Sequence, residues 1–390
     1  MSVNDMSFEQ AATLLSEIVS QATGKKVLTP IDAAGFASVG QLALKTGYDP
    51  LTTAISQVLG RTIFSTRPYS AKFKGLFVSN QKWGAVTRKI NYVDGALEDD
   101  SRFTLVNGQS VDQQKVNKPE VVQTNFYGAE MFQRHVTIYK DQLDCAFQNA
   151  AEFSQFISGV IQNVNDQLEQ CHEAMSRQCL CNFIVGKSAG DSSNVIHLVS
   201  TYNAQTGASL TAETVMNPDN FVPFTKWLYG YIQSLASLMG ERGTKYHINI
   251  TGKPIMRHTP RDRMKCYMNT QILNNMDTSV LSGIFQADKM RMIDYEEVNY
   301  WQSIDSPTGV NATATYLAAN GTLTTTPEAV SVQHVLGVMF DEEAMGVTTM
   351  STWTASAPFN AAGGYQNTFW HFTDRIWNDF TENGVVLCMD

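Results

Sequence analysis

The feature that most constrains this fold is one long amphipathic segment in the middle of the chain, residues 150–182. Its apolar side chains recur every three or four residues, which is the period of an α-helix that buries one face. These positions are Phe153, Ile157, Val160, Val164, Leu168, Cys171, Met175 and Cys179. At ~1.5 Å per residue the segment predicts a rod of about 50 Å. A single long helix laid on one sheet is an uncommon plan for an enzyme of this size.

Residues 67–118 predict a long β-hairpin that lacks a core of its own. Residues 73–93 are rich in aromatic and β-branched residues, Asp94-Gly95 is a turn signal, and 102–116 reads as the returning strand. An isolated two-stranded hairpin is not stable in water. We therefore expect this hairpin to lie on a partner surface, with packing on its own domain as the alternative. Its mixed charges favour register between subunits. The candidate inter-subunit contacts are Lys72, Lys74, Lys82, Trp83, Arg88, Lys89, Glu98, Asp99, Asp100 and Arg102.

The first 66 residues predict an arm with two modest helices. One runs from Ser7 to about Ser20, and the other opens at Asp49-Pro50, where a capping residue precedes proline at the first helical position. Residues 29–46 between them are small and rather featureless. The arm has little to bury by itself, so we expect it to wrap around another molecule.

The remainder of the chain predicts a mixed α and β organisation. Residues 133–139 read as a strand, 301–334 as loop with short strands, and 335–390 as several strands that end the chain. Residues 186–300 read as a separate α/β unit. Within it we expect a turn-rich entry at 186–193, a strand at 195–199, a helix from Asn217-Pro218, and a strand at 246–251.

Composition excludes several classes of function. The chain has 390 residues with 28 Lys+Arg against 37 Asp+Glu, a formal charge of −9, and no basic cluster of the kind that grips nucleic acid without regard to sequence. No uncharged apolar run is long enough to span a membrane, and no secretory signal is visible. The six cysteines form no disulfide framework, which favours a reducing compartment.

The run Gly186-Lys187-Ser188-Ala189-Gly190 matches two catalytic motifs incompletely. A phosphate loop would need glycine at position 181, which is Cys181. A nucleophile elbow at Ser188, with Asp219 and His371 downstream, would need a strand before it and a helix after it. We interpret the run as a glycine-rich hinge between two domains.

Two metal-like patterns also fail. His172-Glu173 begins a zinc-helix motif, but Ser176 stands where the second histidine belongs. Cys171, Cys179 and Cys181 are better explained as buried cysteines of the helix. We therefore predict no catalytic residue, no metal and no cofactor.

The order of arm, hairpin, long helix, α/β unit and returning strands resembles the Hong Kong-97-type (HK-97-like) capsid fold of tailed bacteriophages. Residues 48–75, 123–170 and 369–390 are similar to major capsid proteins of small short-tailed phages, the phi-29-like podoviruses and their gut-phage relatives. No short motif carries the resemblance, which rests on the co-linear pattern over most of the chain. It is weakest at 190–335.

The resemblance implies an α+β fold with defined domains. These are an N-terminal arm (1–66), an extended E-loop hairpin (67–118), a first part of the P-domain (119–186) with its spine helix (150–182), an A-domain (187–334) and a second part of the P-domain (335–390). It also implies that A-domains meet around local axes. The candidate axis contacts are Arg257, His258, Arg261 and Arg263.

The function that this resemblance implies is a major capsid protein that self-assembles into an icosahedral shell of pentamers and hexamers. The shell would enclose double-stranded DNA without sequence-specific binding, would assemble in the host bacterial cytoplasm, and would have portal and scaffolding proteins as partners. We expect the scaffold, if one is used, to be a separate protein. Two alternatives remain open: an encapsulin-like compartment around a cargo enzyme, and a serine hydrolase using Ser188.

Overall fold

The computed structural model describes residues 7–59, 72–78, 86–95, 97, 100, 105–110, 114, 116, 118–271, 273–274 and 295–390. Its helices α1 to α7 span Phe8–Thr23, Ala33–Thr46, Tyr48–Leu59, Lys140–Ala146, Ala150–Gly190, Leu198–Thr206 and Pro218–Met239. Its strands β1 to β15 span Phe77–Val78, Val86–Tyr92, Val121–Tyr127, Glu130–Tyr139, Val195–His197, Met264–Asn269, Glu296–Val298, Val310–Ala312, Thr315–Leu317, Leu323–Thr325, Val330–Val332, Val335–Asp341, Met345–Ser356, Tyr365–Asn378 and Gly384–Cys388. These elements make an α+β fold, as predicted.

The long helix α5 begins where the sequence predicts and runs further. The Asn149 side chain caps its first turn by accepting from the Ala151 N–H at 3.1 Å. The helix then continues for 41 residues to Gly190. The predicted hinge at 186–190 is therefore wrong, because this run is helical. Its glycines serve close packing: a Cβ on Gly186 would stand 2.4 Å from the Phe380 ring.

A four-stranded sheet, in the order β1-β13-β14-β4, lies against the middle of α5. Val164 of the helix is buried against Trp370 and Phe372 of β14, with Phe132 and Val136 of β4 beside them. The alternation along β14 explains the packing, since its even-numbered residues face the helix. The predicted strands at 133–139 and in the 335–390 region are confirmed here as β4, β13 and β14.

A five-stranded sheet, in the order β5-β15-β12-β6-β7, forms the second half of the core. One face packs on the end of α5 and the other on α6 and α7. Strands β12 and β15 are buried along their whole length, as interior strands covered on both faces must be. The predicted boundary at 334/335 is therefore wrong, because β12 and β15 belong to the sheet of the α/β unit.

The N-terminal arm has a core within its own subunit. Helices α1, α2 and α3 pack on the start of α5, and the featureless stretch at 29–46 contains α2. Phe36 of α2 is fully buried next to Phe147 and Phe153. Gly40 lets α2 approach closely, since a Cβ there would lie 2.1 Å from the Phe147 carbonyl oxygen. The expectation that the arm has little of its own to bury is wrong for these residues.

Smaller differences occur in the α/β unit. The helix at Asn217-Pro218 is confirmed as α7, and the short strands of 301–334 are confirmed as β8 to β11. The predicted strand at 195–199 stops at His197 and becomes α6. The segment 246–251 forms only an isolated bridge, between Ile250 and Lys253. Its backbone bonds instead to the loop between β14 and β15 and to the start of β15, where the Ile248 N–H donates to the Phe380 carbonyl and the Tyr246 carbonyl accepts from the Gly384 N–H.

Candidate functional site

Strands β2 and β3 form a two-stranded antiparallel ribbon, with Val86 opposite Tyr127 and Tyr92 opposite Val121. The first strand lies within the predicted hairpin. The predicted return at 102–116 is wrong, because the partner strand is Val121–Tyr127, and residues 105–110 of the proposed return contain a turn. The β3 sequence explains the choice, since it is richer in β-branched and aromatic residues than 105–110.

The inner face of the ribbon lies on the end of β14 in its own subunit. The Phe126 ring is 5.5 Å from the Trp377 ring, centroid to centroid. The Arg375 guanidinium donates to Thr87 Oγ1 and to the Gly128 carbonyl, both at 2.9 Å. The ribbon therefore lies on Arg375 and Trp377 of its own chain, a surface that we call the ribbon seat. For the described residues 86–92, this corrects the expectation that the hairpin has nothing of its own to fold against.

Lys89 is the charged residue of this inner face, and it points into a group of carboxylates. Its Nζ lies 2.5 Å from Glu382, 3.0 Å from Asp379 and 3.3 Å from Glu343. Burial by itself would lower the pKa of Lys89, but the charges of Asp379 and Glu382 outweigh burial and raise it. Lys89 was predicted to contact a neighbouring subunit, and the structure instead pairs it within its own chain.

The base of the ribbon is tied to the loop between α7 and β6. The Met256 N–H donates to Asp94 Oδ2 at 2.6 Å, and Asp94 also pairs with Arg242. Across the ribbon, Lys253 pairs with Glu120 at 3.0 Å. The ribbon thus contacts both halves of the subunit.

The outer face of the ribbon is open to solvent and partly apolar. Ile90 is 57% exposed, Tyr92 68%, Val121 46% and Tyr127 69%. Arg88, a predicted contact, lies exposed on the same face. Tyr92 and Val121 are opposite each other with Ile90 beside them, whereas Tyr127 lies at the other end of the ribbon, beyond Arg88 and Asn125. Single exposed apolar residues are normal, but the group of Ile90, Tyr92 and Val121 makes this face a candidate surface for another molecule.

Of the other predicted hairpin contacts, the structure describes the side chains of only two. Lys72 and Asp100 are exposed. Lys82, Trp83, Glu98, Asp99, Arg102 and the side chain of Lys74 lie outside the described residues.

The four predicted axis residues divide into two kinds. Arg257 is committed internally: it donates to the Thr381 carbonyl at 3.0 Å and pairs with Glu382 at 2.9 Å. Arg263 is likewise held by Glu342 and Glu343. His258 and Arg261 are exposed, and the Arg261 guanidinium donates to Ser237 Oγ at 2.8 Å.

A polar cluster that the sequence analysis missed joins the ribbon seat to the core. Lys187 is completely buried, and its Nζ lies 3.1 Å from the Glu382 carbonyl and 3.3 Å from the Tyr246 carbonyl. Burial lowers the pKa of Lys187 to about 7. A signal was present, because 179, 183 and 187 continue the apolar spacing of the helix and put a lysine on its buried face.

The structure gives no support to the catalytic motifs. Ser188 lies inside α5 and not at a turn from strand to helix, so the predicted alternative of a serine nucleophile is wrong. Cys179 and Cys181 are buried, and burial raises their pKa values to about 12 and about 11. Within the described residues, no group of three or more His, Cys, Asp or Glu is placed to hold a metal. Among the described helices, none is long and apolar enough to cross a membrane.

Comparison with known proteins agrees with this architecture. The family model described as Phi29-like phage major capsid protein matches residues 14–388. The chain resembles one in the capsid structure of Staphylococcus phage Andhra, at 10% identity, covering 84% of this chain and 87% of that one, with a TM-score of 0.55. It also resembles one in the structure of head fiber and inner core protein gp22 of native bacteriophage P68, at 10% identity and the same coverages, with a TM-score of 0.52. None of the curated proteins matches.

The two structural likenesses show a common HK-97-like fold, and the family match extends over nearly the whole sequence. This chain therefore belongs to the Phi29-like phage major capsid proteins, and its role is that of a structural protein of the capsid shell.

Proposed function

We propose that copies of this chain close into an icosahedral shell of pentamers and hexamers in which the outer face of each ribbon contacts the neighbouring subunit. The observation that carries this proposal is the exposed apolar group of Ile90, Tyr92 and Val121, with Tyr127 at the other end of the same face, on a ribbon whose other face is already occupied. Weak contacts of this kind add up in a closed shell, because every copy makes them at once.

The shell encloses double-stranded DNA that it does not grip. A formal charge of −9 suits a shell wall to which packaged DNA must not adsorb. The protein acts without catalysis or cofactor, with portal and scaffolding proteins as partners, and it assembles in the host cytoplasm. His258 and Arg261 supply contacts around the local axes. Lys72, Arg88 and Asp100 supply polar contacts near the ribbon.

The ribbon contact is tested by Ile90→Asp. Burying an isoleucine at an interface is worth ~1.5–3 kcal/mol, and a buried aspartate adds a desolvation penalty in every copy. We expect the variant to fold and to form no shells under negative-stain microscopy, co-expressed with a scaffold where one is needed. Ile304→Asp is the control, because Ile304 is 72% exposed outside the ribbon. Normal shells from Ile90→Asp would exclude the contact.

A further inference from the structure

The short loop between β14 and β15 receives two lysines from opposite sides. Lys89 reaches it from the ribbon and meets the carboxylates of Asp379 and Glu382 at 3.0 and 2.5 Å. Lys187 reaches it from α5, and its Nζ lies 3.1 Å from the Glu382 carbonyl and 3.5 Å from the Phe380 carbonyl. Lys89 therefore pairs directly with the two carboxylates. Lys187 faces backbone carbonyls of the same loop, where the charges of Asp379 and Glu382 act on it.

This pair of carboxylates is too deeply buried to lose a cation without compensation. Asp379 is 1% exposed and Glu382 5%. If the ribbon leaves, Asp379 loses the ammonium group of Lys89, and an unpaired buried carboxylate is strongly unfavourable. A proton taken up by a lysine already in place restores the charge balance without moving any other chain segment.

The other charges around the cluster are fixed in pairs. Arg257 holds Glu382 at 2.9 Å, and Arg263 holds Glu342 and Glu343. Asp191 and His247 are the remaining titratable groups beside Lys187. Burial lowers the pKa of His247, so this imidazole stays neutral near pH 7. Lys187, whose pKa is about 7, can exchange a proton in that range.

We propose that release of the ribbon from its seat is coupled to proton uptake by Lys187, so that residues 379–383 act as a proton-linked latch. When the ribbon lifts, a solvent proton adds to the Lys187 amine and gives an ammonium ion, which replaces the charge that Lys89 withdraws. The latch lies within one subunit, so it does not depend on the proposed contacts between subunits.

The difference between the pKa of Lys187 in the docked and in the released state sets how strongly ribbon release depends on pH. Release raises the pKa of Lys187, because a nearby cation leaves two carboxylates behind, and acid therefore favours the released ribbon. Between pH 8 and pH 6, starting from a docked value of about 7, the release equilibrium rises by up to ~tenfold.

Hydrogen exchange of the full-length unassembled chain tests this proposal, with peptides covering 86–92 and 121–127 and rates corrected for intrinsic pH dependence. The wild type and the control Arg88→Met, changed on the outer face, should each show up to ~tenfold more opening at pH 6 than at pH 8. Lys89→Met should open ~tenfold more at pH 8 and lose the pH dependence. Lys187→Met should also lose it.

Two results would overturn the latch. One is a wild-type ribbon whose opening does not change with pH. The other is a Lys187→Met ribbon that keeps its acid dependence, which would place the proton on a carboxylate. We expect Lys187→Met to fold, because the Tyr246 and Phe380 carbonyls keep backbone donors in Gly384 and Ile248. If it does not fold, Lys187→Arg decides the question, because a guanidinium stays protonated across this pH range: an acid dependence that persists in Lys187→Arg would overturn the latch.

Discussion

Replacing Phe36 with alanine tests whether the N-terminal arm folds as part of its own subunit. Phe36 is fully buried, and its ring packs edge-on against Phe153 at 5.8 Å and beside Phe8 at 6.1 Å. Removing a fully buried phenylalanine costs ~3–5 kcal/mol, because burial is lost and a cavity is left. An arm that is ordered only by neighbouring subunits would show none of this cost in the isolated chain.

The assay is hydrogen exchange of α1 and α2 in the unassembled chain. At about 1.4 kcal/mol per factor of ten, the loss corresponds to roughly a hundredfold or more increase in local opening. Leu42→Ala is the matched control on the same helix, since Leu42 is 46% exposed and its truncation should cost less than about 1 kcal/mol. If α1 and α2 of Phe36→Ala exchange their amide hydrogens as slowly as in the wild type, the arm does not depend on a core within its own subunit.

Two further predictions concern α5. Gly186→Ala should destabilise the chain by ~1–3 kcal/mol, because its Cβ would meet the Phe380 ring at 2.4 Å. Gly159→Ala is the control: a Cβ there has nothing within 4 Å, so the change should stabilise the helix by ~0.5–1 kcal/mol. The midpoints of urea unfolding measure both effects. The second prediction is the pH dependence of unfolding. The pKa of Lys187 is about 7 in the folded chain and near 10.5 in the unfolded chain, so between these values the folded chain binds fewer protons. The free energy of unfolding should therefore rise with pH across that window, by at most ~1.4 kcal/mol per pH unit. Lys187→Met should lack this slope, and an identical slope in both proteins would exclude Lys187 as its source.

The start of α5 and the strands of the C-terminal region could be predicted because their signal is local. Apolar spacing of three and four residues marks one helical face, and the apolar runs at 335–341 and 384–388 mark buried strands. Local signals gave the wrong end of α5 at 183–190, because two glycines and a lysine there argue against a buried helix. Contacts with Phe380 and Ile248, distant in sequence, decide the structure there.

The arm and the ribbon seat were missed for a related reason. Helix α2 is rich in small residues, and Gly40 lets it pack closely on Phe147. The sequence around residue 40 gives no sign of this distant packing partner. Lys89 was read as a surface charge, yet its carboxylate partner Glu382 is 293 residues away. Local patterns predict which segments form strands, but they do not tell which chain a lysine pairs with.

The ribbon's division into an inner and an outer face bears on how a shell of this kind gains stability. A free hairpin would lose conformational freedom on meeting a neighbour, and that loss would subtract from every contact. Here Phe126 and Thr87 already hold the ribbon on β14, and Lys89 holds it on the loop after β14. The entropy cost of ordering the ribbon is therefore met when the subunit folds. The outer face of Ile90 and Tyr127 can then contribute most of its burial to assembly. Weakening the seat with Lys89→Met should therefore lower assembly without touching the outer face.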